Sequence, residues 1–353
     1  MRILITKMTA AVASLALTSG AAFCQTSDVT LRVACYGGVF TTIQKKYVAD
    51  TFTSRTGIKV QFIDGNPSDH VAKLLASKGR APPFDVVYLD DDIQANAIAA
   101  ATLEKLDPNI VTNLQFVYDE AQNTNGYGPG MLFYSTGIAY NVEKLKEAGI
   151  PEPTSAADLW NPKFAKRIAV PDISYGPGRD FLVIASRLND GDERTLEKGI
   201  DKIAQLMAES YPNSSATLEA LFQSGNVWVS WWVNGRAWGL IDKGAPLRYI
   251  LPKEGGVAHM TTIDLVIGTP HSKEAQMYIN MTLDPLAQLG QANEIPYGPT
   301  NKLLVDVMKA YPNLSKKFPA SPQDIKNLYR VDWDAFSRGY SKAVELWNRK
   351  VIK

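Results

Sequence analysis

Cysteine and histidine are scarce in this chain of 353 residues, with two of the first and three of the second. Two cysteines exclude a disulfide-stapled scaffold. Cys24 lies in or beside an N-terminal leader and Cys35 in an apolar run, so a single buried thiol is expected. His70, His259 and His271 are far apart and lack ligand spacing, so neither a metal nor a cofactor is expected. A Gly-x-Ser-x-Gly elbow, a P-loop and a complete dinucleotide fingerprint are all missing. Gly126, Gly128 and Gly130 have neither the spacing nor the preceding strand that such a fingerprint needs. No cysteine sits at a helix start with a histidine partner, as a thiol nucleophile would. A charge excess of one sign is also absent: 37 Lys and Arg face 36 Asp and Glu. That balance excludes a nucleic-acid or anionic-membrane surface. Beyond the leader no apolar run is long enough to span a bilayer, and there is no internal repeat.

What is present starts with that leader. Arg2 and Lys7 precede the apolar stretch Met8 to Leu17, and small residues follow at Ser19 to Ala22, which reads as a signal peptide over 1–24. The bulky Phe23 before Cys24 argues against lipidation of that cysteine. The remainder is long enough for two domains. Leu31 to Phe40 reads as a strand, a tight Gly37-Gly38 turn and a helix start, which leaves N–H groups and a positive dipole end facing one point. Ile43, Tyr47, Val48 and Phe52 then recur at helical spacing and stop at Gly57. Ile58, Val60 and Phe62 alternate as a strand, Ser68 is placed to cap the next helix, and Phe84 to Leu89 forms a third strand. Strands alternating with helices predict an α/β architecture with a largely parallel sheet. Ligands in such sheets bind beyond the carboxyl ends of the strands, where Gly37-Gly38 and Asp90-Asp91-Asp92 fall. Met131 to Tyr140 and Thr261 to Gly268 read as crossovers between domains. Helices are expected near 180–190, 193–209, 214–223, 274–280 and 285–293, with a terminal helix carrying Phe336, Tyr340, Val344 and Trp347.

The candidate chemistry gathers at strand ends. Asp90, Asp91 and Asp92 fit a solvated helix start, and also fit a carboxylate turned toward a ligand ammonium. In Val227 to Asn234 one face carries Val227, Val229, Trp231 and Val233; the other carries Trp228, Ser230, Trp232 and Asn234. The second face is expected to be a half-wet aromatic wall able to stack on a cation, with plain core packing as the alternative. Tyr36, Phe40 and Tyr297 lie beside glycines in loops, where they can wall a pocket or simply pack. Arg236 can bind a carboxylate bidentately or pair with a surface acid.

With these residues in view, the chain resembles the solute-binding proteins of bacterial ABC importers, in the group containing the spermidine/putrescine-binding proteins. The resemblance rests on Tyr36-Gly37-Gly38, Phe84 to Val87, Leu103 to Asp107, Thr136 to Asn141, Asp158 to Trp160, Asn234-Gly235, Pro252 to Gly256 and Tyr297 to Asn301, taken in order. It implies a two-lobe periplasmic binding protein fold, type II-like, with two crossovers between the lobes. The lobes are drawn at 28–135 with 265–300, and at 136–264 with 301–353. It implies a periplasmic, non-enzymatic, monomeric receptor for a small amine-containing solute, a polyamine or a related amine, delivered to a membrane permease and its ATPase. The ligand-contacting set it suggests is Tyr36, Gly37, Gly38, Phe40, Asp90, Asp91, Trp232, Asn234, Arg236, Asp264 and Tyr297. Polyamine binders carry a tryptophan and an aspartate close together after the Glu-Gly-Gly turn. Here that stretch reads Val257 to Asp264, without the tryptophan and with the aspartate later, which favours an amino acid or another zwitterion as the alternative ligand. A ferric-binding relative would carry adjacent tyrosines, and there are none. An exported lyase or hydrolase using the aspartates is the rival class, and a chemoreceptor-docking sensor a third.

Overall fold

The computed structural model describes residues 28–77, 80–319, 322–326 and 328–352. The leader expected over 1–24, with Cys24, lies outside the described residues; Cys35 is a free, buried thiol.

Ten strands are described: β1 Thr30–Cys35, β2 Lys59–Asp64, β3 Val86–Asp90, β4 Leu103–Glu104, β5 Gly130–Asn141, β6 Ile168–Ala169, β7 Val229–Val233, β8 Leu247–Ile250, β9 Val257–Val266 and β10 Gly298–Pro299. They follow the order β2-β1-β3-β9-β5-β7-β6, with β8 and β10 also on β5 and β4 on β9. β1 pairs in parallel with β2 and β3, and β6 with β7. β5 and β9 run antiparallel to each other and to their other neighbours, so the sheet is parallel only toward its two sides. This is the α/β architecture expected, with the two long strands as crossovers, but the sheet is largely antiparallel rather than largely parallel, because both crossovers run against all their neighbours.

Those two strands explain the two-lobed arrangement. Met131, Leu132 and Phe133 at one end of β5 join a core with Leu31, Val33, Val86, Ile263 and Leu265. Ile138 and Tyr140 at its other end join a second core with Phe181, Ile200, Trp231, Val257 and Trp347. Between the cores the same strands turn polar: Tyr134, Ser135 and Thr136 lie opposite His259, Ala258 and Val257. A strand buried along its whole length can hold polar groups only where they find partners, and this mid-section forms the floor of the site. Near the C-terminus, Val305 and Ile325 pack with the first core, and the helix Trp333–Lys350 covers the second.

Local signals account for most element ends. Gly57 closes the first long helical stretch at φ 75°, and Asp332 caps the terminal helix by accepting from Ala335 N. The helix Pro67–Ser77 starts one residue before the expected cap: Pro67 takes the first helical position, and Asn66 rather than Ser68 accepts, from Ser68 N at 2.9 Å. The helix expected over 193–209 shrinks to Leu196–Ile203, because Asp192 N donates to Thr195 Oγ1 in a turn just before it.

β7 corrects one expectation outright. It is buried on both faces rather than half-wet. Trp231 packs in the second core, while Trp232 stacks on Phe222 at 5.5 Å between centroids under the helix Ser215–Gln223. Trp228 does meet a cation, but it is the chain's own Arg167 at 4.9 Å. An interior strand covered on both sides reads as aromatic on both faces, so alternation does not distinguish a wall from a core here.

Candidate functional site

The carboxyl end of β3 and the polar middle of β5 and β9 meet in one cluster. Asp90, last in β3, accepts from Tyr36 Oη at 2.9 Å and from Tyr134 Oη at 3.2 Å, both on Oδ1. Among the described residues no cation is paired with it. Burial, followed by repulsion from Asp92, pushes its carboxyl up to about 6. Around it the aromatics form a continuous lining. Tyr36 meets Phe40 edge-on at 5.0 Å, Tyr134 stacks on His259 at 4.9 Å, Tyr297 tilts against Tyr134 at 5.7 Å, and Trp333 stacks on the far face of His259 at 5.6 Å.

The next two aspartates reach across to the second half of the molecule. Asp91 faces His259 Nδ1 at 3.2 Å, and His259 Nε2 faces Asp180 Oδ2 at 2.8 Å. Asp92 pairs with Arg179 Nη2 at 2.8 Å. Arg179 and Asp180 stand in the first turns of the helix Gly176–Arg187, which follows β6, while Asp91 and Asp92 open the helix Asp91–Ala99, which follows β3. Burial disfavours a charged His259 ring, but Asp180 and Asp91 outweigh it and hold the imidazole well above its usual range. Asp180 is fully buried and also accepts from Thr136 Oγ1 at 2.8 Å.

The opposite end of the lining is cationic. Arg236 projects, exposed, from the helix Asn234–Ile241 at the carboxyl end of β7, with no ion pair to an acid among the described residues. Its charge opposes the effect of burial on Tyr297 and Tyr175, whereas Asp90 adds to that effect on Tyr297. Tyr297 thus lies within electrostatic reach of an unpaired carboxylate and an unpaired guanidinium. Tyr175 Oη hydrogen-bonds Ser215 Oγ. Gly235 permits the approach of Tyr297: a Cβ there would lie 2.4 Å from Tyr297 Cε1.

Of the residues expected from sequence, Tyr36, Phe40, Asp90, Asp91, Tyr297 and Arg236 come to this region. Five others have different surroundings. Asp264 is buried among Gly128 N, Gln94 Nε2 and Thr262 Oγ1, all donating to it, so it braces the loop before β5 rather than facing a ligand. Asn234 accepts from Ser135 N and donates to Pro296 O and Lys317 O, which saturates its amide. Trp232 is enclosed as described above. Gly37, at φ 87°, donates its N–H to Thr41 Oγ1, and a Cβ there would touch Asp64 at 3.3 Å. A carboxylate already stands at this helix start, so the turn shapes the wall beside Tyr36. Gly38 begins the helix and is exposed.

Tyr134, Arg179, Asp180, His259 and Trp333 were missed. The rule that singled out Asp90, a polar group just past the carboxyl end of a strand, also points to Arg179 and Asp180 after β6. His259 carries no comparable signal, since its partners lie 79 and 168 residues away in sequence. Among the described residues no group of three or more His, Cys, Asp or Glu is arranged to hold a metal, and no helix is long and apolar enough to cross a membrane.

Comparison with known proteins identifies the family and the fold. The family described as bacterial extracellular solute-binding protein matches residues 47–320. The spermidine/putrescine-binding periplasmic protein of Salmonella typhimurium is 26% identical over 307 residues, 82% of this chain and 81% of that one. A putative 2-aminoethylphosphonate-binding periplasmic protein of the same organism is 24% identical, covering 85% of each chain. An ABC transporter substrate-binding protein from Bradyrhizobium japonicum superposes with a TM-score of 0.77 over 92% of this chain and 100% of its own, at 20% identity.

Proposed function

The chain belongs to the bacterial extracellular solute-binding proteins, the substrate-binding components of ABC transporters, and from that premise we propose that it captures a small amine-containing solute in the periplasm and hands it to a membrane permease with its ATPase. The geometry favours a solute with one ammonium and one anionic group over a plain polyamine. The observation that carries this is a pair of opposite charges that both act on Tyr297: among the described residues Asp90 has no paired cation, and Arg236, next to the Gly235 that packs on the Tyr297 ring, has no paired acid. At an effective dielectric near 20, two charges 4 Å apart interact by about 4 kcal/mol. The second ammonium of a diamine would therefore meet repulsion at Arg236 of the same order as its attraction elsewhere. Tyr36, Phe40, Tyr134 and Tyr297 would enclose the methylene chain, as aromatic rings do for cations and their neighbours. The relatives named for spermidine/putrescine and for 2-aminoethylphosphonate both handle amines, and the second also handles an anion.

The proposed lobes start from those drawn from sequence, 28–135 with 265–300 and 136–264 with 301–353. The packing of Val305 and Ile325 in the first core argues for moving the last boundary beyond Ile325. Closure is a hinge motion biased by contacts that exist only when the lobes meet. We propose a monomeric receptor without turnover: His259 has both ring nitrogens against carboxylates and so is not available as a base for the rival lyase or hydrolase chemistry. Melting curves with 2-aminoethylphosphonate, 4-aminobutyrate, putrescine and spermidine test the reading. A ligand at a hundred times its dissociation constant adds about 2.7 kcal/mol, so the zwitterions should raise Tm most. A response confined to spermidine and putrescine would overturn it, and so would conversion of any bound compound.

A further inference from the structure

Three carboxylates besides Asp90 surround the floor of the cleft, and each already has a cation from the protein. Asp92 has Arg179, while Asp91 and Asp180 share His259. Both ring nitrogens of His259 face carboxylate oxygens, at 3.2 and 2.8 Å. A carboxylate only accepts, so both nitrogens must donate, and a ring that donates twice is the imidazolium. The ring is 4% exposed and clamped between Tyr134 and Trp333, so solvent does not screen that charge. The charged and titratable groups around it are Asp91 and Asp92 from the helix after β3, Asp90 from β3 itself, Tyr134 from β5, and Arg179 and Asp180 from the helix after β6. Its charge also acts on Asp90 and Asp92, lowering both carboxyls against the effect of burial.

We propose that His259 stands in for a second ligand cation, so that the cleft accepts one ammonium, at Asp90, and discriminates against diamines. This rests on the reading of an amine-bearing solute between Asp90 and Arg236, and it adds a second selectivity device that works from the acidic side of the cleft. Without His259, Asp91 and Asp180 would form a doubly negative site on the cleft floor, suited to another ammonium. With it, their facing oxygens are occupied and both acids share a cation, although Asp180 Oδ1 stays buried without a partner; Asp90 is then the acid of this cluster without a cation among the described residues.

The test is calorimetric titration of wild type and His259→Gln with matched ω-amino acids and α,ω-diamines of two to five carbons. Within each pair the solutes differ at one terminus. Wild type is expected to bind the amino acid at least thirtyfold more tightly than its diamine, and His259→Gln to close that gap at least tenfold by tightening the diamine. Equal affinity for both in wild type, or a gap that moves less than twofold in a folded variant, overturns the proposal while leaving an amine-bearing ligand in place. Failure of wild type to bind any member of either series overturns the amine reading itself. If His259→Gln does not fold, the ring nitrogen resonances of wild type at pH 7 decide: two protonated nitrogens, in the free protein and in the complex, support the stand-in cation, and a neutral tautomer overturns it.

Discussion

The two walls of the cleft face opposite electrostatic problems. The wall built on β1, β3 and the middle of β5 keeps a half-buried carboxylate, Asp90, with two tyrosine hydroxyls and no paired cation among the described residues. The wall built on β7 keeps an exposed guanidinium, Arg236, with no paired acid. Elsewhere across the cleft, charges are matched within the protein, at Asp92–Arg179 and at Asp91–His259–Asp180. Breaking a buried pair of that kind costs about 3–5 kcal/mol, because it leaves an orphaned charge. Asp91, Asp92 and Asp180 each face a cation of the protein, whereas Asp90 faces none among the described residues; on the proposed reading, that difference between the walls leaves one place for a charge from outside.

The sharpest way to break the comparison is to neutralise its acidic side. Asp90→Asn should keep the tyrosine contacts but lose the ammonium partner, weakening an amine ligand by about 3 kcal/mol, or roughly a hundredfold. The free protein should not lose stability, since burial already disfavours the ionised carboxylate. A calorimetric titration beside a melting curve separates the two effects, and unchanged affinity would remove Asp90 from the site. The basic side comes next. Arg236→Gln should cost a zwitterion about 2 kcal/mol, roughly thirtyfold, and cost a diamine nothing. If both ligand types lose equally, Arg236 supports the wall without reading the anion.

Both halves of the comparison were legible in the sequence, though unevenly. Asp90 and Asp91 lie at the carboxyl end of β3, where the topology of an α/β sheet sends ligands, so position flagged them, while Arg236 was flagged by its capacity to bind a carboxylate bidentately. Tyr36, Phe40 and Tyr297 beside glycines followed from loop chemistry. The errors came from residues whose surroundings are built by distant chain. Trp232 looked like a wall because its strand alternates with valines, but helix Ser215–Gln223 closes over it and Phe222 stacks on it. Asp264 looked available until Gln94, Gly128 and Thr262 converged on it from three separate segments. His259 was set aside for lack of ligand spacing, and its role depends on two acids supplied by opposite halves of the molecule. Local chemistry finds groups that face outward from strand ends; it cannot tell which buried polar groups have partners.

Acid sharpens the comparison without changing a residue. The Asp90 carboxyl titrates at about 6 in the free protein, against a usual value near 3.9. Its folded value lies above the unfolded one, so its burial is tolerated best below pH ~4 and opposes folding as pH rises through about 6. Binding of an ammonium needs the ionised form, so the signs oppose: affinity should fall about tenfold between pH 7 and pH 5 while Asp90's contribution to stability improves. His259, held well above its ordinary range by Asp180 and Asp91, stays charged throughout that window. Titrations at pH 5, 6 and 7 check this, and Asp90→Asn should flatten the profile. An affinity that rises with acid would mean the acidic wall does not take the cation.

The smallest effect asks whether the two walls are read together. Tyr297 is acted on by the charges of both Asp90 and Arg236, and its ring packs against the backbone beside Arg236 only because position 235 is glycine. A Cβ there would sit 2.4 Å from Tyr297 Cε1 and 2.9 Å from Cζ, closer than side chains pack, so Gly235→Ala must displace the ring. The helix Asn234–Ile241 accommodates alanine readily, so fold stability should change little. Overpacking of this kind typically costs 1–3 kcal/mol where nothing yields; a ring on the cleft side can yield, so about 1 kcal/mol of affinity, roughly fivefold, is expected. If the walls read one molecule, the loss should appear equally for ligands shortened at either end, because the displaced ring contacts the chain between the charges. If it appears only for ligands that keep the anion, Tyr297 belongs to the Arg236 wall alone, and the two halves of the cleft act as separate sites.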